Sequence, residues 1–181
     1  MIIGITGTLG AGKGTVVEYL VRTRGFKHFS VRDLLNAEID KRGLEHNRDT
    51  MLAVANDLRA TKGPGYIAEQ LAAQAKEYGG DAVIESIRSL GEANHLKQQG
   101  ALLWAVDADV NTRYARITKR QSETDKVSFE KFKQDEADEF ANTDMNKPNI
   151  KAVMGMSDTV LYNDTTPEEL YVQVEAALAG K

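Results

Sequence analysis

The run Gly7-Thr8-Leu9-Gly10-Ala11-Gly12-Lys13-Gly14-Thr15 constrains this chain more than any other feature. It follows the apolar stretch Met1-Ile2-Ile3-Gly4-Ile5-Thr6 and opens an amphipathic segment from Val16 to Arg24. A strand, a glycine-rich turn and a helix, in that order, are the setting a phosphate-binding loop requires. Glycines let the backbone curl so that successive N–H groups point inward as an anion nest. The helix behind them adds unsatisfied donors and the positive end of its dipole. Gly10, Ala11, Gly12, Gly14 and Thr15 are therefore expected to line the phosphates. Lys13 reaches the β- and γ-phosphates as a mobile point charge. The hydroxyl that usually follows the lysine falls one place later, on Thr15, which is the candidate for magnesium.

Composition narrows the partners. The chain has 181 residues, a formal net charge of −4 and no cysteine. That length supports a single domain with a real core. The acidic balance argues against a general nucleic-acid surface. Without cysteine there are no disulfides, thiolate metal sites or cysteine nucleophiles. No apolar run approaches the roughly 18 residues of a membrane span. The start leads straight into the loop, so no signal peptide and no membrane partner are expected, and the expected location is cytoplasmic. The oligomeric state stays open.

Short apolar runs alternate with longer amphipathic ones. Strands are expected over 2–6, 28–31, 82–85, 102–107 and 159–162. Helices are expected over 13–23, 32–41, 49–60, 66–77, 90–98, 110–119, 129–140 and 168–179. The alternation predicts an α/β fold with a parallel sheet. Strands without polar alternation suit a sheet covered on both faces. Ligands bind beyond the carboxyl ends of such strands, which directs attention to 7–15, 30–33, 85–88, 107–109 and 163–166. Two regions exceed a minimal βαβ ladder: 32–79, with three helices, and 121–156.

The run Gly12-Lys13-Gly14-Thr15 resembles the loop of adenylate kinase and other nucleoside monophosphate kinases. Glu85 ends the run Ala82-Val83-Ile84, where a carboxylate can hold a metal's water shell. With Arg88 it resembles the acid and the arginine of the Asp-Gly-Phe-Pro-Arg signature of adenylate kinases. The resemblance implies that the acid faces the metal and Arg88 grips the acceptor phosphate. A glutamate at this strand end also resembles dephospho-CoA kinases. The segment Phe29-Ser30-Val31-Arg32-Asp33-Leu34-Leu35 resembles the acceptor segment of nucleoside monophosphate kinases, with Asp33 matched. That family's arginine is replaced by Asn36, so Arg32 or Arg59 is expected to compensate. For Arg32 and Asp33 a plain helix start, capped by Ser30, is the alternative; for Arg59 it is a plain helix end.

Arg113, Arg116 and Arg120 share a helical face. The run Val106-Asp107-Ala108-Asp109, with Arg116 and Arg120 after it, resembles the lid base of both families. The resemblance implies that these arginines stabilise charge on the transferred group. The segment 158–170 resembles the C-terminal strand, loop and helix of dephospho-CoA kinases, which implies that Asn163 lies beside the adenine. The acidic run Asp135-Glu136-Ala137-Asp138-Glu139 reads as a solvated helix face. His28, His46 and His95 lack metal spacing, and Trp104 reads as core.

The resemblance implies a three-layer P-loop kinase fold. It has a five-stranded parallel sheet, helices on both faces, a helical acceptor-binding insertion at 32–79 and a helical lid at 121–156. It implies transfer of the γ-phosphoryl of ATP, with magnesium, to a small-molecule nucleotide acceptor such as a nucleoside monophosphate. Two alternatives stand beside it. One is a hydroxyl acceptor, as in a dephospho-CoA kinase, with Asp33 orienting the hydroxyl. The other is a P-loop ATPase that uses nucleotide binding as a switch.

Overall fold

The computed structural model describes residues 1–120, 127–142, 144 and 147–180, without the side chains of Arg48 and Ala141. Among these residues five strands form one parallel sheet: β1 (Ile2–Gly7), β2 (Lys27–Ser30), β3 (Ala82–Glu85), β4 (Leu102–Asp107) and β5 (Thr159–Tyr162). Their order is β2-β3-β1-β4-β5. The registers place Ile5 beside Glu85, Gly7 beside Val106, and Asp107 beside Tyr162. The carboxyl ends of β1, β3 and β4 therefore open on one rim.

Alternation along the strands divides the core between two faces. Ile3, Ile5, Val83, Trp104, Val106 and Leu161 pack against α1 (Lys13–Arg24) and α9 (Pro167–Ala179). Ile84 and Leu103 face the other way. There they meet α2 (Val31–Arg42), α3 (Arg48–Lys62), α4 (Tyr66–Tyr78), α5 (Leu90–Gln98) and α8 (Ile150–Gly155). A Cβ on Gly4 would lie 2.7 Å from Leu96 Cδ1, so the glycine in β1 admits α5. Trp104 is fully buried, as expected. α6 (Val110–Arg120) and α7 (Phe129–Ala141) cover the rim beyond β4.

Three details depart from expectation. Val31 opens α2 instead of closing β2, because Ser30 caps the helix by accepting from Asp33 N at 3.2 Å. Pro167 opens α9, where its missing N–H costs nothing. The six-residue α8 has no sequence periodicity long enough to signal it. Its Ile150 and Val153 are buried at 3% and 0% exposure, and it packs against β1 and α5. The expected lid of 121–156 thus contains a piece of the core. Its covering part is α7; residues 121–126, 143, 145 and 146 lie outside the described residues.

Candidate active site

The loop between β1 and α1 is shaped by its glycines. Gly7, Gly10 and Gly12 have φ of 138°, 81° and 94°. Gly10 and Gly12 adopt left-handed backbone that side chains resist. A Cβ would also lie 2.0 Å from Val106 O at Gly7, 2.6 Å from Arg113 O at Gly10 and 2.1 Å from Asn163 Nδ2 at Gly12. Neighbouring elements therefore press on the loop from behind and fix its curvature. Thr8 reinforces it by donating from Oγ1 to Asp107 Oδ1 at 2.7 Å.

Lys13 folds over the loop. Its Nζ donates to Gly7 O and Thr8 O, both at 2.9 Å. Burial, and then the charge of Arg88, bring its ammonium down to a pKa of about 8. Glu85 and Glu139 oppose that shift, and Arg113 adds to it. Lys13, Glu85, Arg88, Arg113 and Glu139 therefore share one electrostatic environment.

Glu85 stands at the end of β3, where His28 Nε2 lies 3.3 Å from its Oε2. The imidazole first, then Lys13 and Arg32, hold its carboxyl below the usual range. His28, which lacks metal spacing in the sequence, thus belongs to the site's edge. Glu85 and the Thr15 hydroxyl are oxygens of the kind that suit magnesium, which keeps several waters and takes few protein ligands. Among the described residues no group of three or more His, Cys, Asp or Glu side chains forms a metal cage. The curled loop, the desolvated lysine and the buried Arg116 Nη1, which has no hydrogen-bond partner, fit a polyphosphate.

Arg88 follows Glu85 through a strained turn in which Ser86 has φ 73°. The turn is held from both sides. Glu92 Oε2 accepts from Arg88 N at 3.0 Å and from Ser89 N at 3.2 Å. Asn149 N donates to Arg88 O at 2.9 Å.

Arg59 departs from expectation. It is 2% exposed and donates from Nε and Nη2 to Glu92 Oε1 at 2.9 and 2.7 Å. Its guanidinium is spent on the buried carboxylate that holds the Arg88 turn, which gives Arg59 a supporting place instead of an acceptor contact. Arg32 and Asp33 are exposed on the first turn of α2.

On α6 the three arginines differ. Arg113 is buried and donates to Ala108 O at 2.8 Å and to Leu9 O at 3.4 Å. It also grips Glu136 of α7 with both terminal nitrogens. Arg116 is half-buried, and its Nη2 donates to Asn163 Oδ1 at 3.4 Å. Arg120 is exposed at the end of α6. Asn163 Nδ2 donates to Ala11 O at 2.8 Å, so its side chain braces the phosphate loop.

The largest correction concerns 135–139. Glu136 pairs with Arg113, and Glu139 Oε1 lies 3.3 Å from Arg88 Nη1. These carboxylates pair with arginines of the cleft and are only part-exposed. A cleft of about 460 Å³ lies between the loop and α7, lined by Thr8, Leu9, Asn56, Arg88, Phe132, Glu136 and Glu139. One signal could have revealed this. Phe132, Glu136 and Glu139 recur at helical spacing, which sets the two acids on the apolar face of α7.

Comparisons agree with this geometry. The family profile of the AAA domain matches residues 3–142. A UPF0200 protein of Thermococcus gammatolerans is 28% identical over 182 residues, covering 97% of this chain and 92% of the relative. TT1252 from Thermus thermophilus superposes with a TM-score of 0.64 at 20% identity, over 99% of this chain and 97% of that one. A shikimate kinase from Bacteroides thetaiotaomicron gives 0.63 at 10% identity, with the same coverage. A dephospho-CoA kinase from Campylobacter jejuni gives 0.55 at 15%, over 99% and 96%. The AAA-domain profile spans well over half of the sequence, and the chain belongs to that family, with the fold of the P-loop small-molecule kinases.

Proposed function

We propose that this protein is a kinase that moves the γ-phosphoryl of ATP to the phosphate of a nucleoside monophosphate or a similar small nucleotide. The observation that carries the reading is the place of Arg88, which lines one cleft with Thr8 and Leu9 of the phosphate loop. Two cations from different elements lie close enough for one to depress the other's pKa, with Glu85 beside them. Phosphoryl transfer needs little covalent help; it needs the donor phosphates and the acceptor held in line with positive charge around the migrating group.

Gly10, Ala11, Gly12, Gly14 and Thr15 hold the donor through backbone N–H groups, and Lys13 releases its loop carbonyls to take the terminal phosphates. Thr15 and Glu85 hold magnesium and its waters. ATP with its metal supplies the group to be transferred and a good leaving group. Arg88 takes the acceptor's phosphate, and Arg32 supports it from the first turn of α2. Arg116 and Arg120 face charge that builds on the transferred group, and Asn163 keeps Arg116 and the loop in one arrangement. The α7 segment excludes water from the cleft. A phosphate acceptor is already an anion and needs no general base.

A hydroxyl acceptor is the second reading. The exposed Asp33, on the first turn of α2 after β2, favours it, since a carboxylate there can orient a hydroxyl. A coupled assay of nucleoside monophosphates, deoxynucleotides and dephospho-CoA against ATP separates the two. The expected result is turnover of a monophosphate, and Arg88→Ala should raise the acceptor KM at least about tenfold more than the ATP KM. Turnover of dephospho-CoA alone contradicts the first reading. ATP hydrolysis with no acceptor turned over favours a nucleotide-driven switch.

A further inference from the structure

Arg88 already has an anion on it. The side chains of Arg88 and Glu139 are 37% and 32% exposed, and their charged atoms are 3.3 Å apart. Glu139 comes from α7, while Arg88 belongs to the turn after β3. The contact spans the cleft. Glu139 also acts on Lys13, since its charge is among those that hold the ammonium's pKa up. One helical turn earlier Glu136 grips Arg113, which is nearly buried and bonded to Leu9 O of the phosphate loop. Stacking of Phe132 under the Arg113 guanidinium, 5.6 Å from the ring centre, adds to that anchor. Beside the ring contacts of Phe129 and Phe132 with Tyr114, the cleft-side carboxylates of α7 thus give it a firm tether at Arg113 and a weaker one at Arg88.

We propose that Glu139 is a specificity-determining residue of the acceptor-phosphate site. Its carboxylate holds the Arg88 guanidinium as a stand-in for phosphate, so only a ligand that brings a phosphate takes the arginine from it. This rests on the reading of Arg88 as the acceptor's phosphate contact. A half-exposed ion pair is worth at most about fivefold in an equilibrium constant. A phosphate dianion, held by two parallel N–H···O bonds, exceeds that. A neutral hydroxyl does not, and it leaves Arg88 with Glu139. The exchange keeps unphosphorylated analogues from closing the site and leaves α7 anchored through Glu136.

The test is a double-mutant cycle read by binding. Inorganic phosphate is titrated by calorimetry into protein saturated with magnesium and a non-hydrolysable ATP analogue, so that the loop is filled. Glu139→Gln should bind phosphate roughly three- to fivefold more tightly than wild type. Arg88→Ala should bind it more weakly, and in that background Glu139→Gln should change nothing. An unchanged affinity in Glu139→Gln overturns the proposal. An equal gain in both backgrounds also overturns it, because Glu139 would then act through its general field and not by holding Arg88. Should Arg88→Ala bind phosphate as wild type does, the acceptor-phosphate reading itself falls, and the proposal with it.

Discussion

Lys13 holds its charge at a cost in solvation. Its pKa of about 8 means that near that pH a substantial share of this lysine is neutral, at the point where the proposed function puts the donor phosphates. An arriving polyphosphate restores the charged form, because an opposite charge nearby favours it. Binding therefore takes up protons. At pH 8 the uptake of Mg·ATP should be about half a proton per site and fall toward zero by about pH 6. Calorimetry in buffers of different ionisation enthalpy measures this directly. Heats that do not vary with buffer would show that Lys13 is not the group meeting the phosphates. The turn at Ser86 was less legible. The resembled signature has glycine at this place, and the φ of 73° explains why a residue without Cβ suits it. A serine there conceals the turn from any pattern that demands glycine.

The supports of Arg88 belong to helices. Arg59 of α3 and Glu92 of α5 form a pair whose side chains are 3% and 0% exposed. Removing one partner of a buried pair leaves an uncompensated charge and costs about 3–5 kcal/mol. Arg59→Ala should therefore lower the thermal midpoint by roughly 6–20 °C, at about 2–4 °C per kcal/mol for a chain of this size. Thermal denaturation with acceptor kinetics checks it. Unchanged stability with a raised acceptor KM would return Arg59 to the ligand role its sequence position suggests. Sequence reading failed here because a helix-end arginine is the same letter whether its partner is a carboxylate two helices away or a ligand. It failed at α7 for a related reason. Four acidic positions read as solvated when counted together, yet only the spacing of Glu136 and Glu139 from Phe132 says which two pair with the arginines of the cleft. What was legible was the loop at 7–15, the five strands and their carboxyl-end rim, because each rests on local chemistry or on period.

Across the whole molecule, the sheet puts the phosphate loop, Glu85, Arg88 and Asn163 on one rim, and α7 spans it. The proposed transfer requires that water be kept from the migrating group, so α7 should tighten only when both sides of the cleft are filled. A bisubstrate analogue joining ATP to the acceptor should protect the amides of 127–142 from exchange, whereas ATP alone should protect mainly 7–15. An analogue that protects nothing in 127–142 would mean that α7 does not close. The steady-state rate of ATP-dependent phosphoryl transfer by Lys13→Ala, in protein shown to be folded, probes the proposed chemistry itself. Loss of a charge that acts mainly in the transition state should reduce kcat by at least about 100-fold. Unchanged turnover in the folded variant would contradict the assignment of this loop to phosphoryl transfer.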